Sequence, residues 1–121
     1  MLPRPLRIAV FGLACLVVIW ASLTPVTALP GAGLWDKAEH LVAYLGLALI
    51  GAAAFPTRLA RLATGLFCGG VLIEMLQSMM GLGRQGDPAD VLANTMGMTT
   101  GLLAALAIRA LIRVKSPARG E

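Results

Sequence analysis

The sequence predicts an all-α integral membrane bundle of about four transmembrane helices, and three observations predict it. Of 121 residues, 58% are hydrophobic and only 13% are charged, about half the charge of an ordinary soluble domain. The apolar residues fall into four runs of about 16–20 residues, close to the ~20 that cross a hydrocarbon core of ~30 Å. Breakers separate the runs. Only a helix satisfies every backbone hydrogen bond within one segment in lipid, so each run is predicted as a helix.

The first run, Ile8 to Leu23, carries no charge and ends at Thr24-Pro25. Arg4 and Arg7 ahead of it, and Val26-Thr27-Ala28 beyond it, also fit a signal peptide with a small-residue cleavage site. The run is long for such a signal, so an uncleaved anchor is the preferred reading. The second run, Ala38 to Phe55, has His40 and Tyr44 near its start and ends at Pro56-Thr57-Arg58. The third, Leu62 to Met80, is interrupted by Glu74 and Gln77, and Gly81 to Pro88 follows as a loop. The fourth, Val91 to Ile108, is interrupted by Asn94 and leads to a basic tail containing Pro117. Cys15 and Cys68 sit inside apolar runs and read as small buried hydrophobes. Gly12-Leu13-Ala14 before Cys15 is a poor lipidation signal.

Arginine and lysine set the expected orientation. Arg4, Arg7, Arg58, Arg61, Arg109, Arg113, Lys115 and Arg119 fall on one side of the spans; only Lys37 and Arg84 fall on the other. Basic flanks favour the cytoplasm, so both termini are expected there, with the first and third loops outside. The net charge of +4 is explained by these flanks, and no nucleic-acid motif accompanies it.

Acidic residues show the reverse bias. Asp36, Glu39, Glu74, Asp87 and Asp90 map to the outer side, and Glu121 alone to the inner. At ~1.5 Å per residue, His40 lies ~6 Å past Asp36, Asn94 ~6 Å past Asp90, and Glu74 ~10 Å inside the outer end of its span. Spacing places Asp36, His40 and Tyr44 on one helical stripe, Glu74 and Gln77 on a second, and Asp90, Asn94, Gly97 and Gly101 on a third. A charge deep in lipid costs about 2.5–3.5 kcal/mol, so these stripes are expected to face one another. Gly97, Gly101 and Ala105 form a small-xxx-small face for close helix approach.

Plainer roles compete for several of these residues. Asp36 with Glu39 resembles a capping box, and Asp87-Pro88 an N-cap followed by proline at the first helical position. Lys37 can snorkel, and Trp35 and Tyr44 can anchor at the interface. Arg84 is either a solvated loop residue or a partner of Glu74 or Asp90. Glu74 resists such readings, since neither capping nor snorkelling needs a carboxylate at that depth.

Taken together, Asp36-Lys37-x-x-His40-x-x-x-Tyr44, Glu74-x-x-Gln77, Arg84 and Asp90-Val91-x-x-Asn94-x-x-Gly97-x-x-x-Gly101 resemble the VanZ-like membrane proteins. The match covers Asp36 to Gly101; the first span, Glu39 and Asp87 lie outside it. The resemblance implies a multi-pass protein of the bacterial cytoplasmic membrane. It would have an anchor span and outer loop over 1–35, a VanZ-like core over 36–108 and a basic cytoplasmic tail over 109–121. The family's namesake is linked to low-level teicoplanin resistance, which does not transfer to this chain by default.

Three functional expectations follow. The first is binding of an anionic cell-envelope lipid or lipid-linked wall precursor, by Lys37, Arg84 and the outward starts of the second and fourth helices. The second is a hydrolase or transferase using Asp36, His40 and Glu74. The third is a structural subunit serving a homo-oligomer or a partner membrane protein. With one histidine and no His/Cys ligand spacing, neither a metal nor another cofactor is expected.

Overall fold

A computed structural model of the chain describes residues 2–24, 34–80 and 86–115; for residues 34–36 it describes the backbone only. Among these residues there are four helices, α1 (Arg4–Leu23), α2 (Leu34–Ala54), α3 (Leu59–Met80) and α4 (Pro88–Lys115), and no strand. All four are long and apolar enough to cross a membrane, so the chain is built as a multi-pass membrane protein.

The helix ends follow from local chemistry. Pro3 and Pro5 stand at the start of α1, where a missing N–H costs nothing. Thr24 closes it by donating its hydroxyl to the Trp20 carbonyl at 2.7 Å. Pro56 stops α2, and the Arg58 N–H bonds the Phe55 carbonyl at 3.1 Å in the tight turn to α3. α4 begins where Asp87 Oδ1 accepts the Ala89 N–H at 2.9 Å, an N-cap ahead of Pro88. α2 begins at Leu34, so Asp36 lies inside its first turn, and the expected capping box with Asp36 as N-cap does not form. α4 is also longer than expected. Helix-forming residues continue past Ile108, so Arg109, Arg113 and Lys115 belong to its last two turns, not to a separate tail. Its 28 residues extend about 42 Å, enough to carry these cations clear of the hydrocarbon.

α2 is the hub. It packs on α1, α3 and most extensively on α4, whereas α1 and α4 do not touch. The α2–α4 seam is close because α4 presents Gly97, Gly101 and Ala105 to it. A Cβ on Gly97 would overlap the Leu41 carbonyl oxygen and lie 2.9 Å from its carbon; one on Gly101 would lie 2.6 Å from the Leu45 oxygen. Around that seam Tyr44, Leu47, Ala48, Leu62, Leu66, Met98 and Ala105 form the core. α1 is peripheral, and Ser22 is its single buried residue. Phe11 of α1 meets Phe55 edge-on, ring centres 5.6 Å apart. Leu13, Leu16, Trp20, Leu72, Met75, Leu103 and Leu111 face outward, as a lipid-bathed surface requires. Cys15 is half-buried, but Cys68 lies on the exposed face of α3, so only the former fits the expected buried hydrophobe.

Arg7 of α1 and Arg109 of α4 meet at the C-terminal end of α2 and do structural work there. Arg7 of α1 donates to the Ala53 carbonyl at 2.7 Å. Arg109 of α4 donates to the Pro56 carbonyl at 2.9 Å and to the Ala52 carbonyl. The last carbonyls of a helix have no partner within it; here guanidinium groups from two neighbouring helices cap the end of α2.

Candidate functional site

At the opposite end, three helices bring polar side chains together. His40 and Tyr44 come from α2, Glu74 and Gln77 from α3, and Asp90 and Asn94 from α4. All six are between 3% and 8% exposed, so the stripes read from spacing do face inward. Burial also removes Tyr44 from the interfacial belt and places it in the core.

His40 is the centre. Its Nδ1 lies 3.1 Å from Asn94 Oδ1, a geometry in which Nδ1 donates and the carbonyl oxygen accepts. Nε2 faces Asp90 Oδ2 at 3.9 Å, and Glu74 Oε1 lies 4.0 Å from Nδ1. Asn94 Nδ2 is buried and has no hydrogen-bond partner among the described residues. Gly70 makes room beside it: a Cβ there would stand 3.0 Å from the Tyr44 hydroxyl and 3.3 Å from Asn94 Nδ2.

A second layer holds these groups. Lys37 Nζ bridges Asp87 Oδ2 at 2.7 Å and Asp90 Oδ1 at 3.1 Å, so it pairs rather than snorkels. That ammonium, together with the Ala89 N–H, holds the Asp87 carboxyl below the usual carboxylate range. Glu74 Oε2 accepts the Asp87 N–H at 3.3 Å, tying α3 to the start of α4. Ser78 donates to the Glu74 carbonyl at 2.9 Å, and Gly86 lets the chain cross it, since a Cβ there would overlap both. Gln77 donates to the Ser22 carbonyl at 2.7 Å and ties α3 to α1.

Beside His40 a cleft of about 250 Å³ opens between α1 and α2. Val17, Val18, Ala21 and Ala43 form its apolar wall; Ser22, Glu39, His40 and Tyr44 form its polar side. Glu39, read from sequence as a cap, is exposed here.

Of the predicted site residues, the structure unites Lys37, His40, Tyr44, Glu74, Gln77, Asp90 and Asn94. Arg84 and the side chains of Trp35 and Asp36 lie outside the described residues. Ser22, Ser78, Gly70 and Gly86 were not singled out from sequence, because small residues in apolar runs carry no signal of their own. His40, Glu74 and Asp90 each offer a ligand atom, all within 4.8 Å of one another, but each stands on a different helix.

Electrostatically the site is acid-rich. Asp87 and Asp90 share the Lys37 ammonium, and Glu74 accepts the Asp87 N–H. The arrangement suits a cation or a shared proton at His40. No family model matches the chain, and no curated protein or solved structure matches it.

Proposed function

We propose that this chain is a VanZ-like protein of the bacterial cytoplasmic membrane, with both termini in the cytoplasm and the His40 cluster on the outer side. There it binds an anionic cell-envelope lipid or a lipid-linked wall precursor. The cleft beside His40 carries this reading: one wall is apolar enough for an acyl or prenyl chain, and the other ends in Ser22, Glu39 and His40. A lipid lying against Val17 and Val18 would bring its head group to the histidine. The positive-inside bias supports the orientation.

The test is capture in cells. A photoreactive side chain at Val18 is expected to trap a head-group class that the same probe at Val114, an exposed residue in the last turn of α4, does not. Identical lipids at both positions would overturn the reading.

The position of His40 between two carboxylates favours a second reading, acid–base hydrolysis or transfer on the same lipid. Turnover of lipid-linked phosphates by purified protein, abolished by His40→Asn, would replace binding with catalysis.

A further inference from the structure

From a groove between α1 and α3, at the end of the bundle away from His40, we infer a second binding site. It takes an anionic phospholipid of the adjacent leaflet, with the phosphate between Arg58 and Arg61 and an acyl chain lying along α3. The inference goes beyond the reading at His40 and is independent of it, since the groove and the cleft beside His40 share no residue.

Three observations carry it. First, the groove is charged at one end and apolar along the rest. It encloses about 400 Å³, within the ~300–1,000 Å³ of small-molecule sites. Arg58, Arg61, Leu62, Gly65 and Leu66 line it, and their i, i+3, i+4, i+7, i+8 spacing makes one helical stripe. Two cations head the stripe, and no polar side chain follows them. Phe11 and Phe55, whose rings meet edge-on, form the facing wall. Gly51 of α2 sets the floor. A Cβ there would lie 2.7 Å from Leu62 Cδ1 and 2.8 Å from Phe11 Cε2, so its absence lets both side chains settle against α2. Gly65 keeps the groove open, since a Cβ there would meet nothing within 4 Å.

Second, the two cations are not engaged. Arg7 and Arg109 are held by the carbonyls at the end of α2. The Arg58 and Arg61 side chains are exposed and make no hydrogen bond or ion pair among the described residues. Third, no protein carboxylate balances them among those residues. Glu39, Glu74, Asp87 and Asp90 belong to the His40 end, and the first turn of α3 holds no acidic residue. Both arginines stand at the positive end of the α3 dipole, where cations are disfavoured. A phosphate between them offsets that cost, and guanidinium forks bond phosphate oxygens in pairs. Basic pockets between transmembrane helices hold anionic head groups in this way. A soluble phosphate would use the arginines alone; the apolar stripe beneath them selects a lipid.

The experiment uses the full chain in phosphatidylcholine nanodiscs. These are doped with phosphatidylglycerol or phosphatidylcholine carrying the same photoreactive acyl chain, and mass spectrometry locates the adducts. The phosphatidylglycerol probe is expected at Phe11, Cys15 and Leu66. Arg58→Gln and Arg61→Gln each lower that labelling about fivefold, and the phosphatidylcholine probe labels the groove about 25-fold less. Gly65→Leu, whose side chain enters open space, removes groove labelling with both arginines in place. Circular dichroism shows which variants remain folded. Equal labelling by the two probes in the wild-type chain overturns the inference, as does unchanged labelling in folded Arg58→Gln/Arg61→Gln or folded Gly65→Leu. Oxidation that joins two chains through Cys15 would put a second copy in the groove and overturn it as well. Lipid capture at Val18 reads the other site, so either reading can fail while the other stands.

Discussion

Replacing Gly97 with alanine tests the α2–α4 seam on which the site depends. The added methyl would overlap the Leu41 carbonyl oxygen and come within 2.9 Å of its carbon and 3.1 Å of its Cα. These are backbone atoms and cannot swing away as a side chain end would. The two helices must therefore part by roughly 1 Å, and a gap of ~0.5–1 Å forfeits a quarter to a half of each dispersion contact across it. Overpacking of this kind costs about 1–3 kcal/mol, and the upper half of that range is expected here. Gly46→Ala and Gly65→Ala are the controls. A Cβ at either meets nothing within 4 Å, so helix propensity alone leaves them between neutral and about 1 kcal/mol more stable. Reversible unfolding in mixed micelles, followed by circular dichroism, measures all three. If Gly97→Ala unfolds with the same midpoint as the controls, the close backbone approach of α2 and α4 is wrong, and the convergence of His40 with Asp90 and Asn94 is wrong with it.

Other perturbations reach the remaining contacts. Gln77→Leu removes the bond to the Ser22 carbonyl and should cost about 0.6–1.7 kcal/mol, the range for buried polar contacts between membrane helices; disulfide trapping between α1 and α3 should show α1 loosened, and unchanged trapping would refute the contact. Arg109→Lys keeps the charge but loses the fork that reaches both Ala52 and Pro56, so it should lower the unfolding midpoint without changing topology. Lys37→Met leaves Asp87 and Asp90 without their ammonium and should destabilise the chain, and Asp90→Asn in the same chain should restore part of the loss; additive losses would show that Lys37 and Asp90 do not interact. A reporter fused at Gly83 should read as exterior, and a cytoplasmic reading would reverse the orientation.

The helices were legible in the sequence because lipid demands unbroken apolar runs and proline punctuates them. The inward stripes were legible for the same reason, since a buried Asp90 or Glu74 has few other places to turn. Asp87-Pro88 announced the start of α4 through a local rule and kept it. Less legible was anything that depends on two elements at once. Asp36 looked like a cap because Glu39 follows it by three, yet Leu34 and Trp35 extend the helix ahead of it. Arg7 and Arg109 read as topology signals, and nothing local marks them as caps for α2. The convergence of His40, Glu74 and Asp90 has no signature in the chain, since spacing reports only residues that share a helix or turn.

The capping of α2 by Arg7 and Arg109 bears on how the chain is made. α2 emerges from the ribosome before α4, the helix that covers its polar stripe and completes the seal at its end. Until then it waits in the bilayer with a histidine uncovered and with the Ala52 and Pro56 carbonyls lacking the Arg109 guanidinium, Arg7 of α1 serving Ala53 alone. Biogenesis thus has a vulnerable interval that closes only when α4 docks, and a chain stalled before that point is a natural substrate for membrane quality control.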